Sequence, residues 1–243
     1  MEIAVINLER AVERRARMTI LLQRFGLDFS FSQAVDAAAG EHLAFSNYDP
    51  ACAVRARGEE LTPGEIACFA SHFRLWRTCI ERDVPLVVME DDIALSPRFQ
   101  LVLELARRLI DRFGFMRLEG IYVPPYHALY SARGFTVVRF QKGPAGAAAY
   151  AISSKGARAL VDHAQKWRYP VDLYLDRFWE HGLSSIAVLP YPARPASHPQ
   201  HIFPSSLESE RRAKPPLGKS SWNMHLTRWS DELRRRVYLL KHR

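Results

Sequence analysis

No stretch of this 243-residue chain approaches the roughly 20 consecutive apolar residues that a membrane-spanning helix requires. The N-terminus opens directly on a strand-like run with no signal peptide ahead of it, so a cytoplasmic protein is expected. Cysteine is scarce. Cys52, Cys68 and Cys79 are odd in number and lack metal-site spacing, which leaves no disulfide framework or zinc finger to propose; reduced thiols are expected, with Cys68 and Cys79 packing in one helix. Neither GxGxxG nor GxxxxGK[ST] occurs, which counts against a dinucleotide or P-loop site. Acidic residues fall short of basic ones, giving a net charge of +8, but the shortage is local. From Glu208 to the end there are ten Lys/Arg against four Asp/Glu, a net of +6, which leaves +2 for everything before it. The basicity therefore belongs to the tail and not to the body of the fold.

What is present centres on Leu86-Val87-Val88-Met89, an apolar run with β-branched residues in the middle that reads as a buried strand. It runs straight into three carboxylates, Glu90, Asp91 and Asp92, before the apolar pattern resumes at Ile93. Like charges crowded at a strand end cost free energy unless a cation neutralises them, and a hard divalent ion with bound phosphates is the usual partner. Open α/β sheets place their ligands at the carboxyl ends of such strands. The plain alternative is a solvated acidic turn.

The rest of the chain alternates strand and helix signals. Ile3-Ala4-Val5-Ile6 reads as a first strand. Met18, Leu21, Leu22 and Phe25 follow at helical spacing up to Gly26, and Phe29 and Phe31 alternate as a second strand. Residues 37–60 lack periodicity and are expected to be a long loop. Thr62-Pro63-Gly64-Glu65 is a capping box opening a helix whose apolar stripe runs through Ile66, Phe69, Phe73, Trp76 and Ile80, with His72 at its edge, facing either a cleft or a structural partner. Another helix is expected after Ser96-Pro97, strands over 116–123 and 135–140, a loop at Pro124-Pro125-Tyr126-His127, and a small-residue run, 143–149, entering a further strand. Ser153 caps a helix, Pro170-Val171-Asp172 begins another, and residues 185–189 form a last strand. A Pro-rich segment with His198 and His201 then leads to a helix capped by Ser220-Ser221, in which Trp222, Leu226, Trp229, Leu233, Val237 and Leu240 form an apolar stripe. The expected organisation is a domain over 1–190, a connector over 191–219 and a basic amphipathic helix over 220–243. That helix either packs on the domain or binds an anionic membrane surface.

Several stretches, in order, together resemble glycosyltransferase family 25, the bacterial lipopolysaccharide and lipooligosaccharide glycosyltransferases. They are Val5-Ile6-Asn7-Leu8 with Arg14-Arg15, Leu61 to Cys68 continuing to Ser71-His72 and Trp76, Met89 to Asp92, Arg117-Leu118-Glu119, Ala148 to Ser153 with Gly156-Ala157, and Pro170-Val171-Asp172. One departure is visible: Gly146-Ala147-Ala148-Ala149-Tyr150 lacks the Thr usual in the family's version of this stretch. The resemblance implies an α/β fold of the GT-A type, a UDP-sugar donor, commonly UDP-galactose, and inverting transfer to a lipooligosaccharide acceptor. With the basic amphipathic tail, a cytoplasmic protein peripherally associated with the inner face of the inner membrane is expected. A sugar nucleotide leaves as a diphosphate, whose charge a Mn²⁺ or Mg²⁺ held by Asp92 with Glu90 or Asp91 would stabilise. Inversion also needs a base for the acceptor hydroxyl, for which Asp172, Glu119 and Asp91 are the candidates. Asn7 and Arg10 are expected to help bind the nucleotide, and Arg14, Arg15 or His72 to contact donor phosphate. The rival readings are a metal-dependent phosphodiesterase or hydrolase, and a non-catalytic membrane-surface protein.

Overall fold

In the computed structural model, which describes residues 1–196 and 222–242, the first apolar runs form strands buried on both faces. In β1 (Glu2–Asn7) and β3 (Leu86–Glu90), Ile3, Val5, Val87 and Met89 face one core, while Ala4, Ile6, Leu86 and Val88 face the other. A period of two that is apolar on both sides requires helices over both faces of the sheet. On one face lie α1 (Val12–Arg24), through Met18 and Leu22, and α4 (Phe99–Phe113), through Phe99, Val102 and Ile110. On the other lie α3 (Pro63–Arg82), α5 (Ser154–His163) and α6 (Val171–Leu175), around Phe69, Trp76, Leu160 and Tyr174. The α3 capping box forms as expected: Glu65 N donates to Thr62 Oγ1 at 3.1 Å and Thr62 N to the Glu65 carboxylate at 2.9 Å.

The sheet is mixed. With β2 (Ser30–Gln33), β5 (Phe115–Arg117), β6 (Tyr126–Ala132), β7 (Phe135–Phe140), β8 (Ala149–Ile152) and β9 (Ile186–Leu189), its order is β2-β1-β3-β8-β5-β9-β7-β6. β1 runs parallel to β2 and β3, while β8 is inserted antiparallel between β3 and β5. The carboxyl ends of β1, β3 and β5 therefore meet the amino end of β8, where the small-residue run enters the sheet. A separate two-stranded ribbon pairs β4 (Ile93–Leu95), just after the acidic turn, with β10 (Ala193–Pro195).

Three expectations are corrected. Residues 37–60 are not an unstructured loop: they hold a 3₁₀ turn, Glu41–Ala44, and α2 (Pro50–Arg57). The latter is made by its ends, an Asp49 cap accepting from Cys52 N, Pro50 in the first turn and Gly58 in the left-handed region, and it buries only Ala53, so no periodicity marks it. The strand expected over 116–123 stops at Arg117, and Ile121 and Val123 are exposed. Tyr126-His127 opens β6, an edge strand with little burial on either side and hence no apolar signature. After α7 (Phe178–His181) and β9, the structure resumes at α8 (Trp222–Lys241). The Ser220-Ser221 cap, His198 and His201 lie outside the described residues.

Candidate active site

The acidic turn sits where the parallel strands end, and two partners fix its middle residue. Asp91 is 7% exposed; its Oδ2 accepts from Asn7 Nδ2 at 2.7 Å and its Oδ1 from Arg14 Nη1 at 3.1 Å. Arg17 donates to the carbonyls of Asp91 and Ile93 at 2.5 and 2.8 Å, tying α1 across the turn. The strand after the turn is in addition clamped by β10, and Ala196 N donates to the Asp92 carbonyl at 2.6 Å. With its backbone held, Asp92 presents a carboxylate that no donor among the described residues reaches. Burial, and then the charges of Glu90 and Asp91, push it up to about 6.

Glu90 is positioned from behind by a buried chain of hydrogen bonds. Trp76 Nε1 donates to Tyr150 Oη at 2.8 Å; Tyr150 Oη lies 2.8 Å from His72 Nδ1, and His72 Nε2 lies 3.2 Å from Glu90 Oε1. Burial holds the Tyr150 phenol well above its usual value, so it keeps its proton. A carboxylate can only accept, so the imidazole proton is assigned to Nε2, facing Glu90, which leaves Nδ1 to accept the phenol proton while the phenol oxygen accepts from the indole. Cys68 Sγ, His72 and Glu90 place donor atoms within 4.8 Å of one another, a spacing that could hold a metal ion. In the assigned tautomer His72 Nε2 donates to Glu90 Oε1, and Cys68 Sγ faces the same oxygen at 3.9 Å.

A third carboxylate completes the cluster. Glu119 lies two residues beyond the end of β5, is 2% exposed, and accepts from Ala148 N at 3.3 Å. Burial, and then the Glu90 charge, push it up to about 7, with Asp92 adding and Arg117 opposing. The loop that wraps it is built for close approach: Gly146 has φ +87°, and a Cβ there would run into the Glu119 carboxylate. The loop is pinned by buried Arg117, which donates to the Gly146 carbonyl and to Asp176 Oδ1, both at 2.6 Å, while Asp176 Oδ2 accepts from Ala145 N at 3.0 Å. Arg117 and Asp176 had no assigned role in the sequence; their 59-residue separation hides the pair.

A cleft of about 250 Å³ opens beside these groups, lined by Arg10, Arg14, His72, Glu90, Asp91 and Asp92 among others. It falls just under the roughly 300 Å³ at which small-molecule pockets begin, so it receives part of a ligand and does not enclose one. Arg10 pairs with Asp36 at its wall. Of the residues nominated from sequence, Asn7, Arg14, His72, Glu90, Asp91, Asp92 and Glu119 are brought together around the ends of β1, β3 and β5. Arg15 instead stacks its guanidinium 4.1 Å from the Phe31 ring. Asp172 stands in the first turn of α6, accepts from Leu173 N at 2.9 Å, and borders Asp176 without lining the cleft. The residues missed were Tyr150 and Trp76 as members of the relay; the spacing of His72 and Trp76, one turn apart on α3, was the available signal.

Comparison with known proteins places this arrangement. The sequence profile of glycosyltransferase family 25, described as LPS biosynthesis proteins, matches residues 1–175. Procollagen galactosyltransferase 1-B of Xenopus laevis is 30% identical over 190 residues, covering 72% of this chain and 30% of its own length. Lacto-N-neotetraose biosynthesis glycosyltransferase LgtB of Neisseria meningitidis serogroup B is 29% identical over 186 residues, 70% of this chain and 66% of that protein. The inactive glycosyltransferase 25 family member 3 of Mus musculus is 27% identical over 225 residues, 81% of this chain and 37% of its own. The matched region thus spans about a third of the animal relatives and about two thirds of the bacterial one.

Proposed function

We propose, given that the chain belongs to glycosyltransferase family 25, that it is an active transferase moving a hexose, with galactose the expected sugar, from a UDP-sugar to a lipopolysaccharide or lipooligosaccharide acceptor. The names of the galactosyltransferase and LgtB relatives support the sugar and the acceptor class. The observation that carries the reading is the convergence of Glu90, Asp92 and Glu119 at the ligand-binding edge of the sheet, where Asp92 and Glu119 have a raised affinity for protons that a bound cation would relieve. The fold would serve as a GT-A-type scaffold.

The donor set fits a hard divalent ion: Asp92 and Glu90 would hold Mn²⁺ or Mg²⁺, which as a Lewis acid neutralises charge on a departing diphosphate. The chain's own groups supply the remainder. Asn7 and Arg14 fix Asp91 and thereby the turn, the relay orients Glu90, and Arg14 with Arg10 sets positive charge along the cleft wall. Among the candidate bases, both Asp91 oxygens are engaged, and neither Asp172 nor Glu119 lines the cleft itself, but Glu119, unlike Asp172, shares the field of Glu90 and Asp92. Glu119 is therefore assigned to take the acceptor hydroxyl proton while the carbon–oxygen bond to the diphosphate breaks, inverting the anomeric centre in one displacement.

The test is turnover of UDP-galactose by the purified chain with Mn²⁺ and a lipooligosaccharide acceptor, read as UDP released and as the anomeric configuration of the product by NMR. A β-linked product is expected from the α-linked donor. Asp92→Asn should cost about 100-fold in rate with unchanged melting temperature, and chelation should abolish transfer. Normal turnover by Asp92→Asn, or in the presence of chelator, would sink the metal assignment; an α-linked product would sink the inverting one.

A further inference from the structure

Helix α8 is amphipathic, and it docks on the domain by the wrong side for a buried helix. Its contacts to the body are polar or mixed. Asp231 pairs with Arg177, Tyr238 donates to the Gly182 carbonyl at 3.0 Å and packs its ring 5.2 Å from that of Phe178, and Arg235 donates to the Gln141 carbonyl at 2.6 Å. Most of the apolar stripe points away from this seam; at its C-terminal end Leu240, with Arg236, also borders a cleft against Leu129 and Arg139 at the sheet edge. Trp229, Leu233 and Leu240, which fall within about 40° of one another on a 3.6-residue helix, are 76%, 55% and 62% exposed. Val237 beside them is 42% exposed. Had the stripe served to pack the helix on its own domain, these would be the buried positions.

The stripe has a charged border. Arg236 stands on one flank and Arg234 and Lys241 on the other, all exposed. The acidic side chains of the helix are turned elsewhere: Asp231 faces Arg177, and Glu232 is covered by Arg235 and Arg236. Counted together with these side chains, the residues from Glu208 onward carry a net +6. No helix among the described residues is long and apolar enough to cross a membrane, so the arrangement suits lying on a surface. A solvent-facing Trp/Leu ridge bordered by Arg and Lys complements one partner in both respects, an apolar layer beneath a negatively charged rim.

We infer that the outward face of α8, built from Trp229, Leu233, Val237 and Leu240 with Arg234, Arg236 and Lys241, is a docking surface for an anionic phospholipid membrane. The helix lies in the plane of the interface, its ridge among the acyl chains and its cations at the headgroups, while Asp231, Arg235 and Tyr238 keep it fastened to the domain. This goes beyond sugar transfer and is read out independently of it.

The experiment is co-sedimentation of the full-length protein with phosphatidylcholine vesicles containing about a third phosphatidylglycerol, against pure phosphatidylcholine vesicles, at low and high salt. The wild-type chain should pellet with the anionic vesicles, lose binding at high salt and stay in solution with the neutral ones. Trp229→Ser/Leu233→Ser/Leu240→Ser should lower partitioning at least tenfold with an unchanged melting temperature, and Arg234→Gln/Lys241→Gln should lower it about fivefold per charge removed. Trp229 fluorescence should shift to the blue on binding. The proposal is overturned if the ridge variant sediments like wild type, if wild type fails to bind anionic vesicles, or if neutral vesicles bind it equally well. It is also overturned if lipid-free protein sediments as a dimer that the ridge substitutions dissociate, since the stripe would then be covered by a second copy.

Discussion

Tyr150→Phe removes one oxygen and nothing else, at a site where that oxygen serves two buried partners. Tyr150 is 1% exposed and packs against the rings of His72 and Phe115, contacts that Phe retains. What goes is the acceptor for Trp76 Nε1–H and the donor to His72 Nδ1, each at 2.8 Å. Both partners are themselves fully buried, so water does not replace the phenol. An orphaned buried polar group costs about 1–3 kcal/mol, which makes about 3 kcal/mol for the two after some relaxation. For a chain of 243 residues, where 1 kcal/mol moves the midpoint by about 2–4 °C, the melting temperature should fall by about 6–12 °C. The second consequence is local. With Nδ1 no longer held as an acceptor, the His72 ring becomes free to carry its proton there, and Glu90 loses its constant donor. Nitrogen-15 NMR of histidine-labelled protein should show a single Nε2–H tautomer in the wild type and a mixture in Tyr150→Phe, with reduced sugar transfer. A variant that melts within about 1 °C of wild type, or a wild type already mixed in tautomer, would refute the relay as drawn.

Gly146→Ala should cost about 1–2 kcal/mol in backbone strain alone and, by pushing the Glu119 carboxylate aside, lower transfer as well. Gly26→Ala, at φ +61° with nothing within 4 Å of the added Cβ, is the control: it should show the strain in a urea titration and keep full activity. Arg117→Met strands the buried Asp176 carboxylate and should destabilise by about 3–5 kcal/mol, whereas Arg117→Met/Asp176→Leu should recover much of the loss, short of the hydrogen bond from Ala145 N; a double variant no better than the single would argue against the pair. Glu180 has a lowered pKa: burial alone would raise it, but the hydrogen bond and charge of Arg177, with Arg168 beside it, outweigh that. A depressed folded-state pKa gives stability that is fully present above the unfolded value of 4.5 and is lost as pH falls through the folded one. Glu180→Gln should therefore flatten the decline of melting temperature on acidification below that value, and an unchanged slope would show that the group is not coupled to folding.

The elements legible in the sequence are those whose signal is local and apolar. The central strands announced themselves because β1 and β3 are buried on both faces, and α3 because its capping box and stripe both lie within one stretch. α2 escaped because eight residues held by an Asp49 cap bury a single alanine. β6 escaped because it lies at the sheet edge with its side chains exposed, and the β4–β10 ribbon because its two short strands are about 100 residues apart in sequence, too far for any window to join them. The stripe on α8 was visible as a pattern, but its direction was not: amphipathicity says which side chains share a face and nothing about where that face points, which here depends on Asp231, Arg235 and Tyr238.

The candidate site divides along the same line, and the reversed strand β8 shows why. Glu90, Asp91 and Asp92 are neighbours in the chain, so their crowding is readable as a charge cluster. Glu119 joins them because β5 pairs with the far side of β8 and runs in the direction of β3, with Met89 opposite Ala149 and Arg117 opposite Tyr150, so both strands end at the same edge. Had β8 run parallel, its carboxyl end and Ser153 would sit at the ligand edge; reversed, it delivers the loop of small residues 143–148 there and sends Tyr150 back into the core, one residue from Ala149 and on the opposite face. One strand direction thus does two things at once: it lets Gly146 close over Glu119, and it brings a phenol to the back of His72 on α3. The small residues before Tyr150 are accordingly required by the approach of a carboxylate, and the tyrosine that ends the run by the orientation of another.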